Sequence, residues 1–225
     1  GACFGEKLGW ERPNWFAPEG VTPEDEYSFG EQNWVRYSGD EHRAAREAVA
    51  VFDQTSFGKF IVEGADSAQA LEWICANRID RPVGSVIYTQ LLNSRGGIES
   101  DLTVTRLAPD RFYLVTGTGF VTHDYHWIRR SLPENLDVRT TDQTDRFAVL
   151  SVMGPRSREL LARVASENVD HTALPFAASR QLQVTSSVIT AVRLTYVGEL
   201  GYELHIPIDH ALNVYRALIT SGACL

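Results

Sequence analysis

The order in which apolar periodicities follow one another constrains this chain more than any single motif does. It reads strand, helix, three strands, helix, and then the same again. In the first half "FGKFIVEG" alternates as a strand, and "ADSAQALEWICAN" puts Ala70, Leu71, Ile74 and Cys75 at helical spacing. Strand-like runs follow at 85–93, 98–106 and 111–117, and "FVTHDYHWIRRSL" closes the half as a helix. In the second half "FAVLSVMG" is a strand and Pro155 fits the first turn of the helix "PRSRELLARVA". Runs near 179–185 and 187–196 and the segment "GYELHIP" are its three strands, and "DHALNVYRALI" is its last helix. Strands that mostly follow one another predict antiparallel sheets with helices on one face, an α+β class. Ahead of the repeat, Ser38 or Asp40 caps a helix through "HRAAREAVAVF". Residues 1–37, with Trp10, Trp15 and Trp34, form an irregular arm pinned onto a surface. The expected divisions are 1–37, 38–142 and 143–225.

With 225 residues, 44% of them hydrophobic, the chain has enough apolar material for one large or two small cores. A formal charge of −8 without a basic stripe argues against nucleic acid as a partner. No apolar run reaches the length of a membrane span. Cys3, Cys75 and Cys224 are odd in number and scattered, against a disulfide framework or zinc site, so a reducing compartment is expected. The start at Gly1, with Met153 the only methionine, reads as a piece of a longer chain.

One strand is odd. In "LLNSRGGIESDL" a Ser94-Arg95-Gly96-Gly97 turn predicts a hairpin, after which Ile98, Ser100, Leu102 and Val104 share one face. Glu99, Asp101, Thr103 and Thr105 share the other, and an Asp at a strand's centre is disfavoured. Either that face is wet or it lines a site. Glu199, in "LTYVGELGYEL", follows the corresponding strand of the second half, so both acids border the seam if the halves pack pseudo-symmetrically. The alternative is a solvated strand residue and a hairpin residue. His123 and His126, with Asp124 nearby, have a spacing that can share a metal, but no further ligand cluster supports them. There is no dinucleotide-binding or phosphate-loop motif, and "SVMGPRS" is a helix-capping junction before it is an anion site.

Several segments resemble a known family. "GGIESDLTVTRL" and "YVGELGYEL" resemble segments of the glycine-cleavage T-protein, a folate-binding aminomethyltransferase. "VFDQTSFGKF" and "GACFGEKLGWERPNWF" are similar to the sarcosine and dimethylglycine dehydrogenase family, in which a flavin (FAD) domain precedes a T-protein-like folate domain. The resemblance implies a role for Asp101 as catalytic carboxylate, for Tyr88 as a folate contact, and for Glu199 as the acid that holds the pterin. Tyr196 walls the pocket by the same resemblance. Thr116 and Gly117 in "LVTGTGF" stand where the T-protein has a Ser-Asn pair, leaving Thr116 as a cofactor contact and none from Gly117.

The implied function is capture of an oxidised N-methyl group on tetrahydrofolate, giving methylenetetrahydrofolate, with Asp101 moving a proton. The implied partners are tetrahydrofolate and a flavin domain, linked or associated, in the cytoplasm or the mitochondrial matrix. The alternatives are a non-catalytic folate-binding or scaffold module, and a demethylase for another methyl donor. The chain carries no flavin domain and stops before the family's arginine-containing segment and C-terminal barrel. As a fragment it is therefore expected to be inactive and to bind tetrahydrofolate weakly.

Overall fold

The computed structural model describes residues 1–196 and 200–222. Two strands open the chain, β1 (Ala2–Lys7) and β2 (Trp10–Phe16), an antiparallel hairpin where the sequence suggested irregular structure. Burial of Cys3, Trp15 and Ala17, with Trp15 stacked 5.6 Å from Tyr37, fixes the hairpin to the following segment. Trp15 Nε1 donates to Asp25 at 2.9 Å, which satisfies the indole N–H inside the cluster. The first helix, α1 (Val35–Glu47), starts earlier than expected and stops before "AVF", which becomes a strand, β3 (Ala50–Asp53).

The repeat follows as expected. The first half is β4 (Gly58–Glu63), α2 (Ser67–Ile74), β5 (Val86–Leu92), β6 (Ile98–Ala108), β7 (Arg111–Thr116) and α3 (Val121–Ser131). After a further short strand, β8 (Arg139–Asp142), the second half is β9 (Phe147–Met153), α4 (Ser157–Val164), β10 (Ser179–Val184), β11 (Ser187–Val192), β12 (Gly201–Pro207) and α5 (Ala211–Gly222). The fold is α+β with two antiparallel five-stranded sheets, ordered β5-β6-β7-β4-β8 and β10-β11-β12-β9-β3. An exchange is built into those orders. The strand that leads into the second half, β8, completes the first sheet beside β4, and the strand that leads into the first half, β3, completes the second sheet beside β9.

One face of each sheet is covered by its own pair of helices. Leu71 and Ile74 of α2 and Ile128 of α3 bury against Phe60, Val62, Leu102, Val104, Phe112 and Leu114. Leu160 and Leu161 of α4 and Val214 and Leu218 of α5 do the same against the second sheet. Each fully buried side chain of this kind contributes about 1.5–3 kcal/mol. A glycine at the first strand-to-helix junction of each half, Gly64 after β4 and Gly154 after β9, makes the close approach feasible. Gly154 has φ +124°, and a Cβ there would lie 2.5 Å from the Ala48 carbonyl oxygen, which accepts the Arg156 N–H at the start of α4. Backbone thus fills the "SVMGPRS" junction.

The free faces of the two sheets meet, and Lys59 straps them. Its buried Nζ donates to the carbonyls of Thr55 (2.6 Å) and Phe147 (2.8 Å). Burial pulls its pKa down to about 8, against the pull of Asp145, Asp142 and Asp53. Between about 8 and the unfolded value of 10.5 the unfolded chain holds a proton that the folded chain has lost, so this group's contribution to stability rises with pH. Burial pushes the Cys75 thiol up from 9.0 to about 12, which opposes the rise above pH 9. Cys75 is unchanged in a Lys59 variant, so its contribution cancels in a comparison of the two proteins, and the step from pH 8 to 9 isolates the lysine. There the unfolding free energy of wild type, measured in urea, should gain about 1 kcal/mol on that of Lys59→Met. Parallel pH curves for the two proteins would show that Lys59 keeps its full charge when folded.

Candidate functional site at the seam between the sheets

Asp101 lies on the seam face of β6. Ser100, Leu102 and Val104 are buried on the helix side, so period-two alternation turns Asp101 the other way. The hairpin that carries it turns at Gly96, φ +78°, and the Asn93 side-chain oxygen accepts from the backbone N–H of Arg95 and Gly97. Across the hairpin Asp101 pairs with Gln90 and Tyr88 pairs with Thr103, which makes Tyr88 and Asp101 diagonal neighbours. The Tyr88 hydroxyl donates to Asp101 at 2.7 Å, although the tyrosine is 55% exposed. That bond to a carboxylate holds the Tyr88 phenol above its ordinary pKa, and Tyr196 is near enough to add to the shift. Tyr196 itself is 93% exposed, an aromatic face with no described residue packed over it. Asp101, Tyr88 and Tyr196 thus come together at the open end of the seam.

The second half contributes an acid to the same seam. On β12 the side chains of Tyr202, Leu204 and Ile206 enter the helix-side core, so Glu203 and His205 face the first sheet. The Glu203 side chain is only 14% exposed, and its one ion-pair contact among the described residues is His205 Nε2, at 3.7 Å, too long for a hydrogen bond. Its carboxylate oxygens keep some access to solvent and take no hydrogen bond from a described residue, so both are free to accept from the N–H groups of a ligand. Glu199 lies outside the described residues. Glu203, four positions on in the same motif, is the acid that sequence reasoning passed over.

Two expectations are corrected. Thr116 does not line the seam: it shares the helix-side face of β7 with Phe112 and Leu114, and its hydroxyl donates to the fully buried Asp124 of α3. Glu99 also leaves Asp101's face. The β5–β6 register shifts between Leu91 and Leu92, so that Leu91 pairs with Ser100 and Leu92 with Ile98, leaving Glu99 extra. That bulge turns Glu99 towards α3, where it lies 3.6 Å from His123 Nε2.

Asp124 is the hub of this helix-side cluster, accepting from Ser100 (2.7 Å), from Thr116 and from His123 Nδ1 (2.8 Å). Its carboxylate stands between the serine and the histidine, so the three form no nucleophilic triad, in which the histidine must reach the serine. No three His, Cys, Asp or Glu side chains converge as a metal site among the described residues. None of the described helices is long and apolar enough to cross a membrane.

Comparison with known proteins sets this seam in a family. The profile of the GCVT N-terminal domain matches residues 1–225. The chain belongs to that family. GCVT relatives include the 4-methylaminobutanoate oxidase (formaldehyde-forming) of Paenarthrobacter nicotinovorans, 39% identical over 99% of this chain and 27% of that protein. Human mitochondrial sarcosine dehydrogenase is 35% identical over 99% of this chain and 28% of that protein. The chain therefore spans little more than a quarter of the length of these GCVT relatives. The glycine cleavage system aminomethyltransferase T of Bartonella henselae superposes with a TM-score of 0.77 over 97% of this chain and 54% of that one, at 24% identity, which establishes a shared GCVT fold.

Proposed function

We propose that this domain binds tetrahydrofolate in the seam and transfers a one-carbon unit to it, as the folate-binding part of an N-methylamine dehydrogenase or oxidase. The observation that carries the reading is Glu203: a side chain only 14% exposed, without a hydrogen-bond donor among the described residues, on the seam face of the second sheet, while Asp101 and Tyr88 stand on the seam face of the first. A pterin presents an amino group and an adjacent ring N–H side by side, the donor pair that a carboxylate accepts through both oxygens. The residues present fit that group. Glu203 would fix the ring, Tyr88 and the exposed face of Tyr196 would flank it, and Asp101 would take the proton released at the reacting nitrogen. Bound tetrahydrofolate supplies the nitrogens that accept the carbon. The oxidation that generates the unit is assigned to a flavin domain, joined to or associated with this one. The sarcosine dehydrogenase relative is named as mitochondrial, which agrees with a matrix location if the source is eukaryotic.

Calorimetric titration of the intact protein with tetrahydrofolate tests the assignment of the acid. Glu203→Gln puts an N–H where an acceptor is needed and is expected to cost about 1.5–3 kcal/mol of affinity, the range for hydrogen bonds to charged groups. With Glu203 as the acid that holds the pterin, Glu199→Gln is expected to bind within about twofold of wild type. The reverse outcome would return the pterin to Glu199. The name of the 4-methylaminobutanoate relative favours a second reading, release of the carbon as formaldehyde with no folate capture. A protein that turns over its amine, binds no tetrahydrofolate and yields stoichiometric formaldehyde would establish that reading instead.

A further inference from the structure

Deeper in the seam than Asp101, Tyr113 of β7 and His205 of β12 join the two halves. Their rings meet edge to face at 5.1 Å and 88°, and the Tyr113 oxygen lies 3.1 Å from His205 Nδ1. Both are almost fully buried, at 4% and 2% exposure. Burial, with the nearby Glu203 charge, holds the Tyr113 phenol far above its ordinary value, so its O–H is intact and able to donate to Nδ1. With the phenol donating, Nδ1 carries no proton and the ring bears its N–H at Nε2. Nε2 is the nitrogen 3.7 Å from Glu203 Oε2.

We propose that Tyr113 and His205 are positioning residues for the seam's ligand-binding acid: Tyr113 donates to His205 and fixes it as the Nε2–H tautomer, which turns the positive end of that N–H towards Glu203, 3.7 Å away, and favours the orientation that receives the ligand. The proposal rests on the reading of Glu203 given above. The logic is that of a metal-bound histidine whose second nitrogen is fixed by a neighbouring group, here with a carboxylate in the metal's place. The distance leaves Oε2 free of a tight bond and Oε1 without any described partner, so both oxygens are available to a paired N–H donor. Because Tyr113 belongs to the first half and Glu203 to the second, any shift of one sheet against the other moves the acid.

The test separates the tautomer from the ligand. Long-range nitrogen–proton correlation spectra of the intact protein, with His205 assigned by its loss in His205→Gln, are expected to show Nε2–H in wild type and a different or mixed state in Tyr113→Phe. Tetrahydrofolate titration is expected to show about fivefold weaker binding for Tyr113→Phe and about tenfold for His205→Leu, short of the loss for a full hydrogen bond to a charged group, as the 3.7 Å contact requires. His205→Gln, whose amide N–H reaches the place of Nε2, is expected to recover affinity to within about twofold, a rescue that loss of packing would not allow. In a Glu203→Gln background the Tyr113 and His205 substitutions should have no further effect on affinity. An Nδ1–H ring in wild type, or losses that persist in the Glu203→Gln background, would overturn the proposal. Wild-type protein that shows the Nε2–H ring but binds no tetrahydrofolate sinks the folate reading and leaves the tautomer lock standing.

Discussion

Asp101→Asn is expected to leave folate binding close to wild type while one-carbon transfer falls by about a hundredfold or more, the usual weight of a positioned general base. The substitution keeps the size of the side chain and an oxygen for the Tyr88 hydroxyl, 2.7 Å away, but removes the charge and the capacity to take a proton. Its effect on stability should stay within about 0.5 kcal/mol because the site is open to solvent. In the intact protein the deciding quantity is the ratio of formaldehyde to methylenetetrahydrofolate formed from an N-methylamine. With amine oxidation unaffected, carbon that is no longer captured should appear as formaldehyde and the ratio should rise steeply. An unchanged ratio returns Asp101 to a wet strand face, held only by its tyrosine.

The largest effect on stability is expected on the opposite face of the same strand. Asp124 is fully buried and takes hydrogen bonds from Ser100, Thr116 and His123, so it ties α3 to β6 and β7 directly behind Asp101. Asp124→Ala strands two buried hydroxyls and a ring N–H, at about 1–3 kcal/mol for each group that finds no water. A total loss of about 3–5 kcal/mol is expected, a drop of about 10 °C in Tm for a chain of this size. Thermal unfolding followed by circular dichroism checks it. Because Ser100 adjoins Asp101, Asp124→Asn should also weaken ligand binding more than its smaller loss of stability would suggest. A drop below about 1 kcal/mol for Asp124→Ala would mean that water replaces the carboxylate and that the cluster is not the strand's anchor.

Much of this architecture is legible in the sequence because the signals are local. The repeat of strand, helix, three strands, helix follows from side-chain period alone, and the placing of Asp101 opposite Ser100, Leu102 and Val104 follows from the same rule. Applied to "RFYLVT" and "GYELHIP", that rule also separates Thr116, which shares a face with Phe112 and Leu114, from the seam. It puts Glu203 and His205 opposite Tyr202, Leu204 and Ile206. Motif resemblance pointed to Thr116 because it aligns positions along the chain and carries no information about which way a side chain faces.

The rest belongs to the tertiary structure. Neither β3 nor β8 is long or apolar enough to declare itself, and each forms because an edge of the other half's sheet offers unpaired N–H and C=O groups. The hairpin of β1 and β2 closes by pairing Pro- and Trp-rich residues whose spacing has no period, and packing around Trp15 decides it. The bulge that turns Glu99 towards His123 depends on how β5 and β6 are registered. The meeting of Tyr113 with His205 joins residues 92 apart, and that of Lys59 with Phe147 joins residues 88 apart. Sequence alone determined the elements of the repeat and most of their faces, since dihedral preference and side-chain alternation act over a few residues. The closing of the two free faces into one seam was decided by long-range packing and hydrogen bonding, because those energies exist only once the halves have met.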